Sequence, residues 1–148
     1  LAYTAMNLGA FAVVILLEHK GDGGTELRDY AGVGFRYPMI GAALALFMIS
    51  LSGIPPTVGF VGKLYLFGAA VQSKHYWLAV VGVLGSAVSV FYYLRLLVLM
   101  YMKEPSQEEP SPCPFAVSAV LAVAALVTVI GGIFPGSLTS LTLWAVAP

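Results

Sequence analysis

Lys63 is a titratable ammonium group set inside the run Ser52-Gly53-Ile54-Pro55-Pro56-Thr57-Val58-Gly59-Phe60-Val61-Gly62-Lys63, itself part of an apolar stretch from Pro38 to Val71 with no other charge. A charge at such a depth in a bilayer costs roughly 3 kcal/mol on insertion scales, so lysines placed there face a protein interior and take part in function. The chemistry open to this group is proton transfer. Desolvation disfavours the ammonium and a nearby carboxylate favours it, and a group balanced between the two takes up and releases a proton. The competing reading, a lysine whose stem lies on lipid while its head reaches the interface, fits poorly with a place in mid-run. No Asp or Glu lies in the apolar run, so a carboxylate partner is expected elsewhere.

Within ten residues of Lys63 the run is cut by Gly53-Ile54-Pro55-Pro56. Proline lacks an N–H and clashes with the carbonyl four residues back, so the pair is expected to free the carbonyls of Leu51 and Ser52 and divide the run into two half-helices. Irregular backbone at membrane depth is tolerated only in protein or against a hydrated cavity, and broken helices recur at the ion sites of transporters. Ser50, Ser52, Gly53, Pro55, Pro56, Thr57 and Gly59 are therefore the candidate residues of a proton path at the break. The hydroxyls either hold water against open carbonyls or simply satisfy them.

Arg95, in Phe91-Tyr92-Tyr93-Leu94-Arg95-Leu96, is the secondary candidate for a relay or an ion pair, although a long side chain this near a helix end also snorkels. Gly82/Ser86 and Gly85/Ser89 are small-xxx-small pairs that permit close helix approach. Tyr3, Thr4 and Asn7 share a helical face, read first as interhelical hydrogen bonding. His19 and His75 are isolated, and Cys113 has no partner in Pro110-Ser111-Pro112-Cys113-Pro114. Neither a metal-ligand cluster, nor a phosphate loop, nor a nucleophile–base pair is visible, so no metal or cofactor site is expected on this chain.

The elements that must hold these groups are membrane helices. Of 148 residues, 59% are apolar and 9% charged, and the charges gather in Glu18 to Arg36, at Lys74 and in Lys103 to Glu109. The runs between are long enough to cross a bilayer, for which about 20 apolar residues suffice. The expected fold is all-α: a polytopic transmembrane bundle with helices at about 1–17, 38–72 (broken by proline), 76–102 and 115–133, and an apolar tail at 137–147. A Gly-rich polar loop is expected from Gly21 to Arg36. Lys20, Arg28, Arg36 and Lys103 fall on one side and Lys74 on the other, so the positive-inside rule puts loops 18–37 and 103–114 in the cytoplasm. Tyr76-Trp77 and Trp144 are anchors for the opposite interface. Balanced charge excludes a broad basic surface for nucleic acid. The chain opens at Leu1 inside an apolar run without a basic leader, so a signal peptide is a poor reading and residues 1–148 are expected to be part of a longer polypeptide.

The run from Ile49 to Lys63 closely resembles the broken helix of the antiporter-like membrane subunits of respiratory complex I, above all the subunit N branch of bacterial NADH-quinone oxidoreductases. Phe91-Tyr92-Tyr93-Leu94-Arg95-Leu96 resembles the next helix of that branch, and Tyr3-Thr4-Ala5-Met6-Asn7-Leu8-Gly9-Ala10-Phe11 the preceding one. The resemblance implies inverted repeats, each with a broken helix and a buried lysine, and a line of charged residues and water across the midplane. This chain would be the C-terminal part, with Lys63 as the terminal lysine. The implied function is that of a non-redox, proton-translocating subunit in a bacterial inner (plasma) membrane, coupling electron transfer from NADH to quinone to proton pumping. NADH, quinone, FMN and iron–sulfur clusters would belong elsewhere in the complex, and the partners would be its other membrane subunits and lipid. Two further readings are a subunit of a multi-subunit cation/proton antiporter or membrane-bound hydrogenase, and a helix-packing scaffold.

Overall fold

Pro38 can open a helix because its missing N–H would have no partner in a first turn, and the helix that carries the break starts on it. The computed structural model describes residues 2–19, 26–103, 115–134 and 136. Among these the chain is helical throughout: α1 (Ala2–His19), a 3-10 turn (Leu27–Tyr30), α2 (Val33–Arg36), α3 (Pro38–Ser52), α4 (Val58–Gln72), α5 (Tyr76–Met102) and α6 (Phe115–Ile133). Lys20, Cys113, Trp144, the 137–147 tail and most of the 103–114 loop lie outside the described residues. One described helix, α5, is by itself long and apolar enough to cross a membrane, whereas α3 and α4 are shorter apolar helices.

Helix α3 is central, packing on α1, α2, α4, α5 and α6. Its Leu44 and Phe47 are buried together with Met6, Val13 and Leu17 of α1 and Met100 of α5. Outward faces remain apolar: Leu8 and Phe11 on α1, Leu64 and Tyr65 on α4, and Trp77, Leu84 and Phe91 on α5 are exposed.

The segment expected as a polar loop is in part a packed one. Tyr30, Val33 and Tyr37 are buried, and the Glu26 N–H donates to the Asp29 carboxylate at 2.9 Å. Gly32 adopts a left-handed conformation (φ 72°), which lets its N–H reach the Leu99 carbonyl at 3.2 Å. Phe35 meets the Tyr101 ring edge to face, centroids 6.0 Å apart. Residues 26–36 and the C-terminal turn of α5 thus share one end of the bundle, and the Ser73–His75 turn, where α5 begins, lies at the other. Pieces this short have no periodicity to read, which is why the sequence alone shows only a Gly-rich loop.

Candidate functional site

Helix α3 ends at Ser52, three residues before Pro55. Gly53 takes the left-handed conformation (φ 83°), its N–H bonds the Ser50 carbonyl at 3.0 Å, and the Ile54 N–H bonds the Ile49 carbonyl at 3.3 Å. These two bonds form a Schellman cap, in which glycine is favoured because it has no Cβ to clash. The sequence places the break at Gly53-Ile54-Pro55-Pro56 and has the prolines free the carbonyls; in the structure Gly53 caps the helix and the prolines follow the cap. Their peptide bond is cis, and both are exposed.

The freed carbonyl of Ser52 has a partner. Lys63 Nζ, two turns into α4, donates to it at 2.9 Å. The C-terminal end of a helix carries a partial negative charge from its unpaired carbonyls, so the lysine head sits where the backbone itself supplies the opposite sign. Lys63 is half-buried. A Cβ built on Gly53 would lie 2.9 Å from Lys63 Cδ, so glycine at 53 both caps the helix and leaves room for the lysine stem.

Ser50 joins three helices. Its hydroxyl donates to Met6 Sδ of α1 at 2.7 Å and accepts from the Gly59 N–H of α4 at 3.2 Å, satisfying one of the orphan donors of that helix's first turn. The approach needs glycine, since a Cβ at 59 would run into the Ser50 carbonyl. Ser52 turns its hydroxyl back to Met48 O at 2.8 Å, so it offers the site its carbonyl only. Thr57, buried at the start of α4, donates its hydroxyl to Ile54 O at 2.7 Å.

Around Lys63 lies a cleft of about 520 Å³ lined by Tyr3, Met6, Ser50, Gly59, Gly62, Phe67 and Ser86 among others. The structure therefore brings Ser50, Ser52, Gly53 and Gly59 to Lys63, while Thr57 turns its hydroxyl to Ile54 O and Arg95 is exposed on α5 outside that lining. Asn7 does not bond across helices as expected; its amide donates to Tyr3 O within α1 at 2.9 Å. Sequence reasoning missed Met6, whose thioether gives no pattern signal. It also missed Gly132 of α6, where a Cβ would strike the backbone of Pro56 and Thr57; the pair Gly131-Gly132 in an apolar run was its one trace.

With that geometry in hand, residues 1–89 match the family described as NADH:quinone oxidoreductase/Mrp antiporter, TM. The chain is 49% identical over 143 residues to NADH-quinone oxidoreductase subunit N of Trichlorobacter lovleyi, a match covering 97% of this chain and 29% of that one. It is 47% identical over 135 residues to NADH-quinone oxidoreductase subunit N 2 of Roseiflexus castenholzii, covering 91% and 27%. It is similar in fold to a chain of respiratory complex I from Thermus thermophilus with bound aureothin, with a TM-score of 0.67, 31% identity, and 74% of this chain and 26% of that one covered. The chain thus spans less than a third of the length of the curated relatives it matches.

Proposed function

The chain belongs to the NADH:quinone oxidoreductase/Mrp antiporter transmembrane family, and from that premise we propose that it is the C-terminal part of a proton-translocating, non-redox membrane subunit of the subunit N type in an NADH-quinone oxidoreductase. The observation that carries the reading is the Lys63 ammonium on the Ser52 carbonyl at 2.9 Å, at a helix break that opens on a cleft. A proton on Lys63 is held by a helix end, and its loss leaves a neutral amine against the same carbonyl. Binding and release thus need no other change in the chain.

In this reading α3 and α4 together make one membrane span across the break, with α1, α5 and α6 as the others. Ser50, Ser52, Gly53, Thr57 and Gly59 shape the path at Lys63, Pro55 and Pro56 keep the connection irregular, and Arg95 is at most a secondary group near the interface. The exposed apolar faces of α1, α4 and α5 meet lipid, the rest of the same polypeptide, or other membrane subunits of the complex. Loops 18–37 and 103–114 face the cytoplasm of a bacterium, and redox cofactors reside in other subunits. The family description names Mrp antiporters as well; the relatives named subunit N favour the quinone-linked complex.

The test is Lys63→Ala in the complete subunit, assembled in its complex and reconstituted in proteoliposomes. Electron transfer from NADH to quinone and proton uptake are measured together. Assembly with proton uptake strongly reduced is expected, because the partner of Lys63 is the neutral Ser52 carbonyl, and removing the ammonium leaves no buried charge uncompensated among the described residues. Uptake equal to the parent's would remove the relay.

A further inference from the structure

Hydroxyls in these helices share a habit. Ser52, Ser89 and Thr128 each donate to the carbonyl four residues back in their own helix, at 2.8, 2.9 and 2.8 Å, a common outlet for a hydroxyl inside a helix. Ser50 departs from it. Fully buried, it donates instead to Met6 Sδ of α1 at 2.7 Å, although a thioether is a weak acceptor. The bond to Gly59 accounts for the choice: with its proton on the sulfur, the oxygen turns a lone pair to the Gly59 N–H of α4 at 3.2 Å, whereas a hydroxyl turned along its own helix faces that helix. Helix α4 needs this bond. Thr57 stands at its N-cap position, where a side-chain oxygen ordinarily accepts from the second or third helical N–H, but the Thr57 hydroxyl is on Ile54 O at 2.7 Å and makes no cap. Gly59 is the second residue of α4, so Ser50 supplies that cap from α3. Its carbonyl meanwhile accepts the Gly53 N–H at 3.0 Å, and one residue thus closes both half-helices at the break.

We propose that Met6 and Ser50 are positioning residues for Lys63: Met6 fixes the Ser50 hydroxyl, and the hydroxyl holds the start of α4 so that the lysine stays opposite the Ser52 carbonyl with or without its proton. This rests on the proton-relay reading of Lys63 and adds what keeps the relay in register. Gly59 and Lys63 are four residues apart and share a face of α4. They meet residues 50 and 52 in the last turn of α3, as two rungs between the same pair of helices. The Lys63 rung weakens when the lysine gives up its proton, since a charged donor bonds roughly twice as strongly as a neutral one and the attraction to the helix end goes with the charge. The Ser50 rung carries no charge and does not change. Helix α1 packs chiefly on α3 and α6, and Met6 acts on α4 through the Ser50 hydroxyl.

The deciding change is Met6→Leu, which keeps the side-chain volume, as Leu and Met exchange at little cost in a core, and removes the acceptor. It is made in the complete subunit within its complex, in proteoliposomes, with proton uptake taken per NADH oxidised. Uptake is expected to fall about three- to tenfold, the scale of one lost hydrogen bond, in Met6→Leu and in Ser50→Ala. The double change Met6→Leu, Ser50→Ala should fall no further than Ser50→Ala, because Met6 acts through the hydroxyl. Ser50→Thr keeps a hydroxyl and should retain most of the uptake; Ser50→Cys takes its place if the threonine variant does not assemble. Ser89→Ala, which removes a hydroxyl bonded to its own helix, should behave as the parent does. Where Lys63→Ala itself lowers uptake, the proposal is overturned by parent uptake in Met6→Leu, by losses that multiply in the double variant, or by an equal loss in Ser89→Ala. Position is read separately from transport. Spin labels on α3 and α4 should give a broader spread of distances in Met6→Leu and Ser50→Ala than in the parent, most of all when Lys63→Ala removes the other rung, and an unchanged spread overturns the proposal as well. A broader spread together with parent uptake in Lys63→Ala leaves the Ser50 cap standing and removes the relay reading.

Discussion

Lys63 holds its charge against a helix end, and that raises a choice between a clamp and a relay. As a clamp, the ammonium would pin the start of α4 to the Ser52 carbonyl, and any permanent cation of similar reach would do. Arginine separates the two, because it keeps the charge and the donors but is effectively never deprotonated. Lys63→Arg is therefore expected to assemble and transfer electrons while proton uptake falls nearly as far as in Lys63→Ala; uptake close to the parent's would make Lys63 a clamp. The glycines of α4 give a second residue-scale test. At Gly59 a Cβ meets the Ser50 carbonyl, a backbone atom with nowhere to go, whereas at Gly62 it meets nothing within 4 Å. Gly59→Ala should destabilise the assembled subunit by about 1–3 kcal/mol, the usual range for overpacking. Gly62→Ala should be neutral or stabilise by up to about 1 kcal/mol through helix propensity. Thermal unfolding in detergent compares them, and equal losses would mean that the approach of α4 to α3 is looser than its geometry. Lys63 and the serines were legible as a cluster because charge and hydroxyls stand out in an apolar run. Met6 was not, since a thioether that accepts the Ser50 hydroxyl looks in sequence like any core methionine.

At the scale of the element, the break shows how two signals two residues apart divide the work. Gly53 and Pro55-Pro56 both break helices, and sequence favours the prolines because their clash and missing donor are absolute. In the fold the Gly53 cap comes first, and α3 has already ended when the prolines arrive. The double change Pro55→Ala, Pro56→Ala should therefore leave α3 ending at Gly53 and retain most proton uptake. Gly53→Ala should be the more damaging change, at about 1–2 kcal/mol for a side chain in the left-handed region, with the new Cβ pressing the Lys63 stem off Ser52. Distances between spin labels on α3 and α4 check both: a longer, straighter separation in the proline variant than in Gly53→Ala would return the break to the prolines. The turn after α4 shows the limit of such reading. There Lys74 stands in the same left-handed conformation (φ 61°), with the His75 and Lys74 N–H groups on Ala70 O and Val71 O at 2.8 and 3.0 Å. The cap is the same motif, and no glycine announces it.

For the whole molecule, run lengths and charge placement made the helical class legible, whereas the meeting of faces was not. Gly82/Ser86 and Gly85/Ser89 are equivalent on paper, yet Gly82 takes the Phe67 ring while Gly85 has nothing within 4 Å and Ser89 bonds back to its own helix at 2.9 Å. Gly132 was passed over, although it seats α6 on Pro56 and Thr57. Spacing describes one helix at a time, and packing is decided by what lies opposite. Orientation rests on the charges, because the bundle separates them by end: Arg28 and Arg36 stand in the segment that packs on the C-terminal turn of α5, next to Lys103, and Lys74 closes the far turn. Lys and Arg in short loops are retained on the cytoplasmic side, so single cysteines at these ends should react from opposite faces. In sealed inverted vesicles Lys103→Cys is expected to be labelled by an impermeant thiol reagent, and Lys74→Cys only after the vesicles are opened. Labelling of both before opening would put the two turns on one face and end the reading of α3 and α4 as a single span, since a span must deliver its two ends to different sides.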